Sequence, residues 1–295
     1  MIKRSEDILL RMFCCVVAAM TVAGCIKDDL TECQSTYFLT VRAYTPSGAE
    51  LGTGDVQDVS LFIFDGATRF VRKIDTQVGQ RVTIDAPAGE NIHLVAWGNL
   101  SSGGQIYPQP VPGDLLADCF VELLPTSRAI SYALSPDDLF RGQMTIAGSD
   151  LSGDKVLPIY REMGSMTITA RNLKTVMGFD DDYSIVVRET CSEIGFDGRT
   201  FGDKVAYLPA GSFVINSGKE EYVVPAFYMV PESTGVHIDI YHGSELIITV
   251  SHDNTGQPIK IEKGKLTNVL IDLKTFVNVS VSINDWGNYE GWKEF

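Results

Sequence analysis

The chain has 295 residues, 44% hydrophobic and 21% charged, with a formal net charge of −14. That acidity repels nucleic acid and anionic headgroups, and no basic stripe offsets it, so nucleic-acid binding is excluded. The length suffices for two ordinary domains, each able to bury a core.

Residues 1–11 carry Lys3, Arg4 and Arg11 against Glu6 and Asp7, and the 13 residues Met12–Gly24 carry no charge. A bilayer core needs roughly 20 helical residues, so residues 1–24 are expected to be a secretory signal rather than a span. Val22-Ala23-Gly24-Cys25 resembles a bacterial lipobox, in which the cysteine thiol is lipidated and becomes the mature N-terminus. Each buried methylene of such a lipid contributes about 0.8 kcal/mol, so a multiply acylated Cys25 is held to the membrane. The plainer alternative is a soluble secreted protein in which Cys25 is incidental. Ile26 is not the Asp that marks inner-membrane retention, and Lys27-Asp28-Asp29 resembles the acidic export signal of Bacteroidetes surface lipoproteins. Residues 25–35 are then a tether, and an outer-membrane, surface-exposed location is expected.

Once the signal is removed with Cys14 and Cys15, and Cys25 is spent on lipid, Cys33, Cys119 and Cys191 remain in an oxidising compartment. Three is odd, so at most one internal disulfide forms, and the sequence leaves its pairing open. No Cys/His spacing suited to zinc is present.

From residue 36 the pattern is one of short β-branched and aromatic runs separated by Gly, Pro, Asn and Asp. Thr36–Tyr44 alternates so that Tyr37, Leu39, Val41 and Ala43 share a face. Val59–Phe64 is apolar on both faces and ends in the turn signal Asp65-Gly66. Strands are expected again at 69–74, 81–84 and 91–97. Ser101–Gly113, with three prolines and three glycines, reads as a loop. Ser135-Pro136-Asp137-Asp138 has the chemistry to start a helical turn, with Ser135 as its cap.

A second series of strands is expected at 165–173, 183–189, 205–208, 212–215, 222–230, 237–241, 246–252, 259–263, 266–274 and 276–283. Asp253-Asn254-Thr255-Gly256 is a turn cluster. Phe64-Asp65-Gly66-Ala67-Thr68-Arg69-Phe70 is echoed by Phe196-Asp197-Gly198-Arg199-Thr200-Phe201. The expected fold class is all-β, with two tandem β-sandwich domains, 36–160 and 161–295, meeting near Pro158–Gly164.

Catalytic patterns are missing: there is no GxSxG, HExxH, P-loop or complete GxGxxG, so no enzyme activity, cofactor or metal is assigned. His93, His237, His242 and His252 are scattered along the chain, and Asp180-Asp181-Asp182 lacks the ligand spacing of a calcium loop. Carboxylates assembled in space for glycoside chemistry leave no mark in a sequence. A rival from a different class is a glycan-binding surface lipoprotein that stacks sugars on Trp97, Trp286 or Trp292.

Several segments fall in a telling order: the lipobox cysteine with Lys27-Asp28-Asp29-Leu30 and Cys33, then Val59–Asp65, Val95-Ala96-Trp97-Gly98-Asn99, Asp138-Leu139-Phe140-Arg141-Gly142 and Ile283-Asn284-Asp285-Trp286. This order resembles the fimbrial anchor lipoproteins of Bacteroidales, the FimB/Mfa-like group of the fimbrillin superfamily. The resemblance implies two transthyretin-like β-sandwiches, no enzymatic activity and a place at the base of a fimbrium. It also implies fimbrial subunits as partners, joined by β-strand addition, with stalk or tip positions as alternatives. In stalk subunits of the group, cleavage at a basic residue frees an N-terminal strand; Thr36–Tyr44, which contains Arg42, is its counterpart here and is expected to be kept. The implied donor strand is Phe276–Ile283, with Phe276, Val277, Val279, Val281 and Ile283, extended by Trp286 and residues up to Phe295.

Overall fold

A computed structural model describes residues 34–285 except 102, 127–131, 151–152, 178–180, 217 and 275–276. The fold is all-β, arranged in three sheets. β1 (Gln34–Tyr44) follows the alternation of its sequence: Tyr37, Leu39, Val41 and Ala43 are buried and the residues between them face outward. It lies inside the first sheet, parallel to β10 (Asp154–Arg161) on one side. On its other side it is antiparallel to β5 (Arg81–Pro87) and β2 (Glu50–Leu51). From β10 the sheet continues through β9 (Phe140–Ile146), β6 (Ile92–Gly98) and β3 (Val59–Phe64) to β4 (Phe70–Thr76).

The two-sided apolar pattern of β3 has a direct cause. Val59, Leu61 and Ile63 enter one core with Leu39, Val41 and Leu157, whereas Phe62 and Phe64 enter a second core with Trp97 and Phe196. The first sheet therefore closes its own core on one face and supports the rest of the molecule on the other.

The second sheet runs β14 (Ser212–Asn216), β15 (Lys219–Met229), β11 (Gly164–Arg171), β18 (Lys265–Leu273) and β19 (Val277–Asp285). The third runs β17 (Glu245–Val250), β16 (His237–His242), β12 (Tyr183–Gly195), β8 (Phe120–Leu123) and β7 (Gln105–Ile106), with β13 (Thr200–Tyr207) also paired to β12. It thus draws strands from both sides of residues 160/161: Phe120, Val121 and Glu122 pair with Gly195, Ile194 and Glu193. β11 pairs in parallel with β18, as β1 does with β10.

Several expectations need correction. Ile259–Lys263 is not a ladder strand: Ile259 and Ile261 are buried, but their backbone groups bond to Ser251, Val236 and Glu232 as an irregular crossing segment. No helical turn starts at Ser135. Its Oγ instead accepts from the Tyr228 N–H at 3.0 Å, and the chain enters β9 at Phe140. Within 101–113, Gln105–Ile106 forms the short strand β7. A short helix, α1 (Leu173–Met177), had no counterpart in the reading of the sequence.

Candidate functional site

Three of the segments that carried the family resemblance, 59–65, 95–99 and 138–142, meet at the junction between the first sheet and the rest of the chain. Asn99 ends β6 with φ 59°, a left-handed conformation that Asn tolerates better than most residues. Its Nδ2 donates to the carbonyls of Asp55 and Asp138, both at 2.9 Å, and its Oδ1 accepts from the Gln57 N–H at 2.8 Å. Asp138 pairs with Arg161 at 2.7 Å. Burial pushes the Asp138 carboxyl above its ordinary value, and Arg161 opposes that rise. Next along the chain, Leu139 and Phe140 are core residues, and Gly142 has no room for a side chain because a Cβ there would lie 2.0 Å from the Pro158 carbonyl oxygen.

Arg141 reaches across the junction. Its Nε donates to Glu162 at 3.1 Å and its Nη1 to the Phe196 carbonyl at 3.1 Å. The Glu162 side chain is 4% exposed and also receives Lys263, whose Nζ donates onward to the Gly198 carbonyl at 3.1 Å. The echoed segments are two turns of one design. Asp65 Oδ1 accepts from the N–H groups of Ala67 and Arg69 in the β3–β4 turn, and Asp197 Oδ1 accepts from the Arg199 N–H in the β12–β13 turn. The second turn lies directly on Arg141, because a Cβ on Gly198 would meet Arg141 Nη2 at 2.2 Å. Behind it Phe196 is fully buried, 4.7 Å from Phe62 and 5.8 Å from Trp97 between ring centroids.

These distances decide the place of Trp97. It is 0% exposed, so it is no sugar platform. Trp286 and Trp292 lie outside the described residues.

A cleft of about 350 Å³ beside Asn99 is lined by polar groups including Asp55, Asn99, Asp138, Arg161 and Tyr228. Among the described residues no cluster of His, Cys, Asp or Glu is arranged to hold a metal ion. Asp181 is engaged by Lys174, and Asp180 is outside the described set. Among the described residues no helix is long and apolar enough to cross a membrane.

Cys25, the lipobox residues Val22, Ala23 and Gly24, the Lys27-Asp28-Asp29 triplet and Cys33 all lie outside the described residues. Cys119 and Cys191 are free thiols. Burial pushes the Cys119 thiol up to about 11, with Asp114 and Asp118 adding to the effect. Of the proposed donor strand, Phe276 and Trp286 are outside the described set, and the rest forms β19 at the edge of the chain's own second sheet. Val279 enters the core and Val281 packs against it, while Val277 and Ile283 are 43% and 39% exposed. The outer side of β19 is partly covered: Asn254, in the 253–256 turn, donates its N–H to the Val279 carbonyl and accepts from the Val279 N–H.

The sequence reading missed Arg161, Glu162 and Lys263, and took Asn254 only as a turn residue. Arg161-Glu162 did leave a signal, as two adjacent charges interrupting an otherwise strand-like run where the two series meet.

The profile of a family described as fimbrillin-A associated anchor proteins Mfa1 and Mfa2 matches residues 30–290. Two sequences of the major fimbrium anchoring subunit FimB from Porphyromonas gingivalis are similar along almost their full length. One is 28% identical, with 95% of each chain covered, and the other 29% identical, with 92% covered. The fold is similar to that of the fimbrial anchor protein Mfa2 from Porphyromonas gingivalis. The TM-score is 0.64 at 13% identity, over 86% of this chain and 98% of that one.

Proposed function

Because this chain belongs to the family of fimbrillin-A associated anchor proteins, we propose that it anchors a fimbrium to the outer membrane and takes part in its assembly as a non-enzymatic subunit. The observation that carries this reading is the similarity to FimB across 95% of both chains. Cys25 bears the lipid, Lys27-Asp28-Asp29 directs the protein to the cell surface, and residues 26–33 link the lipid to β1.

The state of β1 supports an anchor over a stalk subunit. Arg42 is paired with Pro158 of β10 on one side and on the other sits between the β5 pairing that ends at Thr40 and the β2 pairing that begins at Ala43. Its guanidinium is held by both carboxylate oxygens of Glu50, at 3.1 and 3.0 Å. A protease needs an extended substrate backbone free of its neighbours, and the pairing of β1 with β10 from Phe38 to Tyr44 withholds it. Cleavage there would also separate the fold from its lipid.

Contact with the neighbouring subunit is made at the β19 end of the second sheet, by strand addition along the stretch beyond the Asn254 cover and through residues 286–295. The two halves of the chain, 36–160 and 161–295, interlocked where β8 joins β12 and at the Arg141–Glu162–Lys263 junction, transmit the load between lipid and fibre.

The test is Cys25→Ala, with fimbriae followed by cell fractionation and electron microscopy. Fibres are expected in the medium, with altered length. Cell-bound fibres of normal length would defeat the anchor reading. Removal of residues 286–295 tests the strand contact separately, since unchanged co-purification with fimbrial subunits would dispose of it.

A further inference from the structure

One row of residues crosses the outer face of the first sheet. Trp97 lies opposite Arg141, Arg141 opposite Tyr160, and Tyr160 opposite Tyr44. Cross-strand partners point to the same side of a sheet. The chain's own C-terminal half covers this row at Trp97, which is fully buried, and at Arg141, whose side chain is 14% exposed. There the cover stops. Tyr160 is 48% exposed, with its ring 6.2 Å from that of Tyr44, and Val156, two same-face positions back along β10 beyond Pro158, is 45% exposed.

The charges beside this ribbon are matched in pairs. Arg42 holds Glu50, and Arg81 holds Asp154 at 2.7 Å while stacking on the Phe38 ring at 3.7 Å. On a chain of formal charge −14, a neutral aromatic strip is where another protein docks without repulsion. Tyr and Arg on such a strip are the side chains that concentrate binding energy at protein interfaces.

Resting on the anchor reading above, we infer that the exposed ribbon formed by Tyr44, Tyr160 and Val156 is a side-chain docking face for the adjoining fimbrial subunit, separate from strand addition at β19. Two observations choose that occupant. First, the same row of the sheet already docks a β-sandwich half at Trp97 and Arg141, so the ribbon extends a face shaped for such a partner. Second, Tyr44 lies at the far end of β1 from Gln34, where the tether joins. At about 3.3 Å per strand residue the ribbon stands roughly 20–30 Å from the tethered end, Val156 (opposite Thr40) at the nearer limit and the Tyr44–Tyr160 pair at the farther. That places it on the side of the fibre rather than of the lipid.

The experiment uses the full chain expressed in cells that make the fimbrium, solubilised in detergent and purified with its associated subunits. Tyr44→Ser/Tyr160→Ser is expected to lower recovery of fimbrial subunits at least about tenfold, with the melting temperature and membrane fraction unchanged. Val156→Lys, a change at an exposed position that adds a charge to the neutral strip, is expected to act in the same direction, and Tyr160→Phe to retain binding. Recovery equal to wild type in both the double-serine and the lysine variants overturns the inference while leaving anchoring intact. A double variant that keeps its fimbrial subunits but loses retardation in a polysaccharide gel overturns it in favour of a glycan. A wild-type protein that brings down no fimbrial subunit overturns this inference and the anchor reading together.

Discussion

The Phe196 and Phe62 rings meet edge to face, 4.7 Å apart, although 134 residues separate them in the sequence. Phe62 points from β3 away from the core of the first sheet, and Phe196 opens the β12–β13 turn. The contact is the apolar centre of the junction. Phe196→Ala should remove a fully buried ring and cost about 3–5 kcal/mol. Calorimetry should show a lower midpoint. A loss below about 1 kcal/mol would mean that the halves are held by other contacts.

Beside that contact, Glu162 balances Arg141 and Lys263 with only 4% of its side chain exposed. Glu162→Gln leaves two cations facing a neutral amide, and breaking a buried pair in this way costs about 3–5 kcal/mol. Arg42→Ala breaks a pair exposed at 43% and 49%, and should cost about 0–1 kcal/mol. Urea denaturation of the two variants checks the contrast. Equal losses would show that burial does not set the worth of these pairs.

Gly142 faces the Pro158 carbonyl oxygen across a gap that a Cβ would close to 2.0 Å. The obstacle is backbone, so no rotamer relieves it. Gly142→Ala should destabilise by about 1–3 kcal/mol or more through overpacking, read as a lower urea midpoint or less soluble protein. A variant as stable as wild type would mean that β9 and β10 can separate freely.

Burial holds the Cys119 thiol protonated up to about 11, against an ordinary value of 9.0. Between those values the folded chain keeps a proton that the unfolded chain has released. Stability must therefore fall as pH rises through that window. Tyr207, pushed by burial up to about 12, titrates in wild type and variant alike. The informative quantity is thus the difference between wild type and Cys119→Ala. The wild-type urea midpoint should decline more steeply from pH 9 to 11, and parallel curves would refute the assignment.

Much of the fold could be read from local pattern. The buried side of β1 follows from its alternation, the two cores on either face of β3 from its unbroken apolar run, and the Asp65 and Asp197 turns from one repeated phrase. What could not be read is set by pairing between distant segments. β8 is a four-residue strand whose partner in β12 lies some 70 residues away, and nothing near Phe120 announces it. Trp97 looked available to a ligand because its concealment depends on Phe196, far along the chain. Ile259–Lys263 has the alternation of a strand, yet its backbone groups are divided between Ser251 and the loop that holds Glu232 and Val236. The motif Asp138–Gly142 was visible as a string, and its role at the junction emerged only with Glu162, Pro158 and Phe196 around it.

The parallel register of β1 with β10 also governs how the molecule yields when pulled. Tension entering at Gln34 runs along a strand bonded to β10 over Phe38–Tyr44 and to β5 over Gln34–Thr40. Such a strand cannot peel away one bond at a time. It must slide past both neighbours together, so the rungs share the strain as the fibres of a splice do.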